Sequence, residues 1–546
     1  NYDALITYQQ SFIDDNLTIT AFAGPAYRRY SGKNVGVGTY GSLRFEDYGM
    51  LQNGQGWPST YSENVSKYSS GADATYSVLG QGTISWKYTY LLEFSARNDW
   101  ASTLPKDNRS YFYPGVSFTW NFTDTFEVPK MNYGKFRVSW ADVGRAANRY
   151  YALRTYTMGT ISNNTAYPGV NDVTGPDELF SGNLKPERKR EFEIGFDTRL
   201  FPRNRLELNF SYYNNTWYDQ IMAVPLSSTT GANRIKINAG KSRNQGVELF
   251  ARGLILAPAT GKFRWDVTVN IAKQWDKLLE LYPGITQINT DEGGGMVRRH
   301  EEGKRMSEIL ITDYKRAADG TRIVNANGTY DLADDAEKVS VGNANPDFYG
   351  GFSTSFSVRG NWGMLNLNAG FDYSWGASVF SYSNYLLKGN GLSKETLQYR
   401  NEQYGGLTYT DGSGRIRHDG VILPGYMNIG TSEVPNYVEN DKIISAYTYY
   451  TSYINDGTGK WKPDGVQKNN YIKFRELSLD YTLPKQISDM LRLQKLTVGF
   501  TARNLCYLYK SINHIDTEAT LGISSFIEYS NYPSSRNYGF NVILSF

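Results

Sequence analysis

Glu191-Phe192-Glu193-Ile194-Gly195-Phe196-Asp197-Thr198-Arg199-Leu200, the turn residues Phe201-Pro202-Arg203-Asn204, and Leu206-Glu207-Leu208-Asn209-Phe210-Ser211-Tyr212-Tyr213 decide the fold class. Successive side chains of a strand point to opposite faces, so period 2 marks a strand with two unlike surfaces. Phe192, Ile194, Phe196 and Leu200 share one face, opposite Glu191, Glu193, Asp197 and Arg199. After the short turn, Leu206, Leu208, Phe210 and Tyr212 oppose Glu207, Asn209, Ser211 and Tyr213. The same alternation recurs along the chain: in Phe263, Trp265, Val267, Val269 and Ile271; in Leu365, Leu367, Phe371 and Tyr373; and in Val116, Phe118, Trp120 and Phe122.

A soluble sandwich alternates too. Connection lengths separate the two cases, because an outer-membrane barrel has short turns at one rim and long loops at the other. Short turns fall at 201–204, 258–261 and 360–361, and long connections at roughly 214–234, 276–346, 376–470 and 509–535. The stretch Pro484 to Lys495 reads as a slightly longer inner turn, with Ile487, Met490 and Leu491 at helical spacing. On this parity every long loop lies on one side and the last strand runs toward the periplasm. Tyr538, Phe540, Val542, Leu544 and Phe546 alternate to a terminal aromatic, an ending that resembles the signal read by the bacterial barrel-assembly machinery.

Composition agrees. The 546 residues are 40% hydrophobic, with a mean hydropathy of -0.51, values that a water-soluble protein would share. A barrel, however, shows lipid only every second side chain, and its average stays low. Aromatics reach 15%, with 44 Tyr, 26 Phe and 11 Trp, the rings that barrels place in interfacial girdles. No run approaches the ~20 apolar residues of a spanning helix. Cys506 stands alone, so there is no disulfide framework, and no zinc spacing occurs. A net charge of +3 selects no partner. Asn1-Tyr2-Asp3-Ala4 opens straight into strand-like sequence without a signal peptide, so a mature, trimmed or partial chain is expected. The expected fold is all-β: a transmembrane antiparallel outer-membrane β-barrel over 1–546, embedded in outer-membrane lipid as a multi-pass protein. Its strands number roughly fifteen, against about 22 in plugged transporters.

Several stretches then resemble one family. Leu184-Lys185-Pro186-Glu187-Arg188 before Glu191 to Gly195 is similar to a strand start of SusC-like TonB-dependent transporters (the SusC/RagA group) of the Bacteroidetes. Ile237-Asn238-Ala239-Gly240-Lys241, Asn244-Gln245-Gly246-Val247-Glu248-Leu249 and Gly342-Asn343-Ala344-Asn345-Pro346-Asp347-Phe348 agree in order. So do Tyr471 to Pro484 and Ala502-Arg503-Asn504-Leu505, while Asp516-Thr517-Glu518-Ala519 stands where Asp-Pro-Glu is usual. The resemblance implies TonB-dependent active import of an oligomeric nutrient, a glycan fragment ahead of a peptide. It also implies a SusD-like surface lipoprotein as lid, held by the long loops, and a TonB complex acting through an N-terminal plug. Nothing in residues 1–180 resembles a plug or TonB-contacting segment, so the chain is expected to be the C-terminal barrel portion. A passive diffusion channel, or a barrel scaffold for export or surface assembly, would share these barrel features.

Other chemistry is thin. His300, His418 and His514 are the available imidazole bases, each near a carboxylate in sequence (Glu301, Asp419 and Asp516), yet no nucleophile motif accompanies them, so no enzyme is expected. No cofactor is expected, although Asp331 to Glu337, and Asn455-Asp456-Gly457 with Asp464-Gly465, offer calcium-type oxygens without a full loop pattern; ordinary turn chemistry also explains them. Gly293-Gly294-Gly295 lacks the Gly-Lys-Ser/Thr of a phosphate loop and is expected to be a flexible piece of loop. Arg298, Arg299, Lys304 and Arg305 are read as a solvated run interrupted by Glu301 and Glu302, with no nucleic acid as partner. Trp217, Tyr218 and Asp219, at a strand's outer end, pair rings with a carboxylate as sugar-binding sites do, although an aromatic girdle needs the same residues. They are the candidate substrate contacts.

Overall fold

The computed structural model describes residues 1–37, 40–43, 54–56, 65–149, 151, 157–160, 171–174, 178–258, 261–334, 338–431, 433–454, 459–513, 515–518, 526–529 and 534–546. Among these, seventeen strands form one sheet, and two of them, Tyr2–Asp3 and Glu178–Phe180, are short. The other fifteen are β1 Ile6–Phe12, β2 Leu17–Val37, β3 Val65–Trp86, β4 Tyr90–Ala101, β5 Ser110–Asn121, β6 Met131–Arg145, β7 Glu187–Leu200, β8 Leu206–Pro225, β9 Arg234–Leu256, β10 Phe263–Glu280, β11 Phe348–Gly360, β12 Gly363–Trp375, β13 Tyr471–Thr482, β14 Lys495–Lys510 and β15 Asn537–Ser545. Among the long strands the ladders join chain neighbours and run antiparallel, as in β1–β2, β2–β3 and β11–β12, the meander of a membrane barrel, while the short Glu178–Phe180 pairs parallel with β9. No helix among the described residues is long and apolar enough to cross a membrane. The chain folds as two compact units.

The first unit comprises Asn1–Thr125, Lys135–Ile194 and Asn214–Arg243. Its longest ladder runs from Leu17↔Trp86 to Val37↔Val65. Across β4 and β5 the two faces differ as the alternation requires. Phe94, Trp100 and Phe112 are 49%, 39% and 52% exposed, an apolar face for lipid. On the other face Asp99 takes the Arg97 guanidinium at 2.7 Å and the Tyr113 hydroxyl at 2.8 Å.

The second unit comprises Phe126–Gly134, Gly195–Tyr213 and Asn244–Phe546. Phe352, Phe371 and Phe474 stack across β11, β12 and β13 with centroids 4.4 and 4.6 Å apart, in the offset range that favours ring pairs. On β10, Asp266 accepts from Arg264 and Arg252 at 2.6 and 3.2 Å. Tyr538, Phe540, Val542, Leu544 and Phe546 are all largely exposed along β15 and its end.

The expected long loops of this unit are ordered instead. Gln287–Gly293, Met296–Glu301, Glu308–Thr312 and Lys338–Asn343 make a four-stranded sheet. Three further three-stranded sheets and two helices, α1 Tyr382–Gly389 and α2 Ala446–Thr451, fill the rest. The four-stranded sheet, α1 and the sheet holding Phe380 and Ile527 share an apolar core in which Ile309, Ile311, Phe380 and Phe526 are 0% exposed, while Val324, Val421 and Ile444 of the other two sheets form a second one with Leu423. Burying each such side chain contributes about 1.5–3 kcal/mol, which offsets the entropy of ordering long connections. The flexible reading of Gly293-Gly294-Gly295 is therefore corrected: the triplet turns a hairpin, with φ +55° at Gly294 and +80° at Gly295. A Cβ on Gly294 would stand 2.2 Å from the Trp461 ring. The helical spacing after Pro484 forms α3, Lys485–Met490.

Candidate substrate-facing site

The expected connection from residue 214 begins later. Strand β8 continues to Pro225, so Trp217, Tyr218 and Asp219 lie inside a strand and not beyond its end. Neighbouring residues of a strand face opposite ways, and Tyr218 and Trp217 have different partners. The Tyr218 hydroxyl donates to Asp142 Oδ2 at 2.5 Å, and Arg188 Nε donates to Asp142 Oδ1 at 3.0 Å. Asp142 is 5% exposed, so these donors satisfy a buried carboxylate that would otherwise cost several kcal/mol. Trp217 instead has the Lys189 ammonium 5.8 Å from its ring centre. Asp219 adopts a left-handed φ of +55°, and its carbonyl accepts from Asn238 Nδ2 at 2.7 Å.

Asn238 also closes on Lys185. The Lys185 amide donates to its side-chain oxygen at 2.8 Å, and its amide nitrogen donates to the Lys185 carbonyl at 3.0 Å. The Leu-Lys-Pro-Glu and Ile-Asn-Ala-Gly stretches are thus two halves of one clamp, with Leu184 0% exposed beneath it and Glu187 accepting from the Ile221 amide at 2.9 Å.

A second clamp explains the Gly-Asn-Ala-Asn-Pro-Asp-Phe stretch. Arg305 donates to Asp276 at 3.2 Å, to Asp347 at 2.6 Å and to the Asn345 and Pro346 carbonyls. The Asn343 amide donates to the Met306 carbonyl at 2.7 Å. Reading Arg305 as part of a solvated run is therefore overturned. Lys304 meets Glu301 at 3.0 Å, and the Arg298 guanidinium lies 5.9 Å from the Phe526 ring centre.

A third clamp joins β13 to the connection between β14 and β15. Glu476 pairs Gly370 and Phe474 pairs Phe371, which leaves Arg475 in a bulge, and a bulge re-aims the side chain it carries. The Arg475 guanidinium reaches Asp372, Asn504 and Glu518. Lys473, 2% exposed, donates to Glu518 and, at 3.2 Å, to Ser534. Burial works against the charge of Asp516, but hydrogen bonds from Ser534 and Tyr507 hold its carboxyl well below the usual range. Glu518 is lowered too: burial opposes its charge, and Arg475 and Lys473 outweigh it.

A recess of about 640 Å³ is lined by Asn209, Ser211, Glu248, Asn270, Tyr349 and Asp372, among others, a set that bonds hydroxyls and amides. His300 is buried and its Nδ1 accepts from the Ser307 amide at 3.3 Å. His418 pairs with Glu402 at 2.9 Å, not with Asp419, which takes Arg417; His514 lies outside the described residues. Of the calcium candidates, 335–337 and 455–457 lie outside the described residues, and Asp464 holds Tyr314 and Tyr453 at 2.7 and 3.2 Å.

Residues 1–309 match the family model for the TonB dependent receptor-like β-barrel. TonB-dependent receptor P3 of Formosa agariphila is 22% identical over 99% of this chain and 52% of its own length. TonB-dependent receptor SusC of Bacteroides thetaiotaomicron is 24% identical over 57% of the chain and 34% of its own. The chain thus spans about half the length of the first of these relatives. The solved RagAB peptide importer in its open-open state superposes with a TM-score of 0.71 at 20% identity, over 99% of this chain and 54% of that one. The relatives are named as receptors and an importer. With the alternating faces, the clamps and the matched family model together, the chain belongs to the TonB-dependent receptor-like β-barrel family of the outer membrane and has SusC-like relatives.

Proposed function

We propose that this barrel conducts TonB-dependent import of an oligomeric nutrient, a glycan fragment, across the outer membrane beneath a SusD-like lipoprotein lid. The observation that carries the proposal is the ordered body built from 287–301, 308–343, 376–454 and 526–528, with its own buried core. Long loops with no task are uncommon and seldom ordered. A passive channel has no need of such a platform, whereas a lid must dock on something of fixed shape. Amide, hydroxyl and carboxylate groups in the wall recess suit a hydroxyl-rich cargo, and of Trp217, Tyr218 and Asp219 it is Trp217 that serves as a cargo contact of the wall, since the Tyr218 hydroxyl is engaged by buried Asp142. Peptide cargo is the second reading, favoured by the description of RagAB as a peptide importer.

The test is purification of the full-length protein from native outer membranes in mild detergent, with mass spectrometry of what accompanies it, and uptake measured with and without TonB. A co-purifying surface lipoprotein and TonB-dependent uptake are expected. A barrel isolated alone, with uptake indifferent to TonB, would turn the reading toward a diffusion channel.

A further inference from the structure

We infer that the ordered outer body carries a saccharide-binding cavity of its own, with Tyr447 as its stacking platform. This inference rests on the glycan reading above. The cavity has a volume of about 420 Å³ and opens beside α1 and α2, within the roughly 300–1,000 Å³ of small-molecule sites. Tyr447 lines it and is 75% exposed. A single exposed ring is ordinary on a surface; this one stands at a cavity whose polar groups are already fixed.

Arg400 is the first of these groups. Its Nε donates to the Thr396 carbonyl at 2.7 Å, and its Nη2 to the Thr396 hydroxyl at 2.9 Å and to the Gly391 carbonyl. Thr396 is 0% exposed, so the guanidinium is anchored from below. Its Nη1 has no acceptor among the described residues. Asp419 is the second group, its two oxygens held by Arg417 at 3.2 and 3.0 Å with lone pairs to spare. Gly389 and Gly391 also line it, and at Gly391, with a left-handed φ of +70°, an added Cβ would stand 3.1 Å from Arg400 Nη2. A ring with an apolar face, a pre-set donor and a pre-set acceptor around one cavity match a sugar's two surfaces. Little ordering remains to be done on binding, which favours affinity.

The test uses the full-length receptor with its native partners. Binding of short neutral and acidic oligosaccharides, and separately of short peptides, is measured for wild type, Tyr447→Ala and Tyr447→Phe, with hydroxyl-radical footprinting of Tyr447. Oligosaccharide binding that protects Tyr447, weakens about tenfold or more in Tyr447→Ala and survives in Tyr447→Phe supports the site. Oligosaccharide binding with Tyr447 unprotected, or unchanged in Tyr447→Ala, overturns the cavity and leaves the glycan reading standing. Peptide binding with no oligosaccharide bound overturns both.

Discussion

The guanidinium of Arg305 lies 2.6 Å from the carboxylate of Asp347, which ties the middle of the outer segment 281–347 to its last residue before β11. The same group reaches Asp276 and two carbonyls, and only a planar fork can serve so many acceptors at once. Arg305→Lys keeps the charge but loses most of these bonds. Faster proteolysis within 281–347 is expected, with the barrel itself still migrating as folded on unheated gels. Unchanged cleavage would show that the core around Ile309 holds the segment without the clamp.

Lys473 is nearly inaccessible and its partner Glu518 is 29% exposed in its side chain. Removing one member of a buried pair costs about 3–5 kcal/mol, and the partial exposure of Glu518 places Lys473→Met toward the lower end of that range. Its thermal unfolding should fall by several degrees, and Glu518→Leu on the Lys473→Met background should recover part of the loss. An equal or larger loss in the double variant would locate the stabilisation elsewhere.

The same cluster predicts a pH dependence. The folded pKa values of Asp516 and Glu518 are depressed, so the unfolded chain binds protons first as pH falls. Their contribution is complete near neutrality, begins to fade below the unfolded values of about 4, and is lost through the lower folded values. Wild type should therefore lose thermal stability in that acidic window more steeply than Asp516→Asn. Identical slopes would contradict the lowered carboxyls.

Gly294 has φ +55° and faces Trp461. Gly294→Ala meets both an unfavourable backbone region and a ring that cannot retreat from the stacked Phe380, 4.5 Å away. Hydrogen exchange in Gln287–Glu301 should quicken, a change absent in Gly303→Ala, where φ is also positive but nothing stands near the added carbon.

How far the sequence could be read depends on range. Period 2 is set by lipid on one face of each strand, and so Phe192, Phe196 and Phe210 betray their strands locally. Where a strand runs on past the membrane that constraint ends: residues 214–234 read as a long connection, yet pairing with β9 carries β8 to Pro225. The family stretches stood out as strings, but their work did not. Lys185 meets Asn238, Arg305 meets Asp347 and Lys473 meets Glu518 across 40 or more residues, and no local pattern announces such partners. The ordered outer body did leave a signal, the apolar run Ile309-Leu310-Ile311, which a solvated loop has no reason to carry.

Trp217 and Tyr218 are neighbours with different tasks, and substitution should separate them. Tyr218→Phe removes a donor from buried Asp142, and a buried acceptor left short of a partner costs about 1–3 kcal/mol; Arg188 remains, so the lower end is expected. The effect should appear in thermal stability, with uptake per folded molecule preserved. Trp217 satisfies no buried group, and Lys189, its cation neighbour, also pairs with Glu191. Trp217→Ala should leave the melting temperature almost unchanged and reduce cargo uptake if its ring touches cargo. Loss of stability in Trp217→Ala with normal uptake per folded molecule would make the ring part of the interfacial girdle and remove it from the transport path.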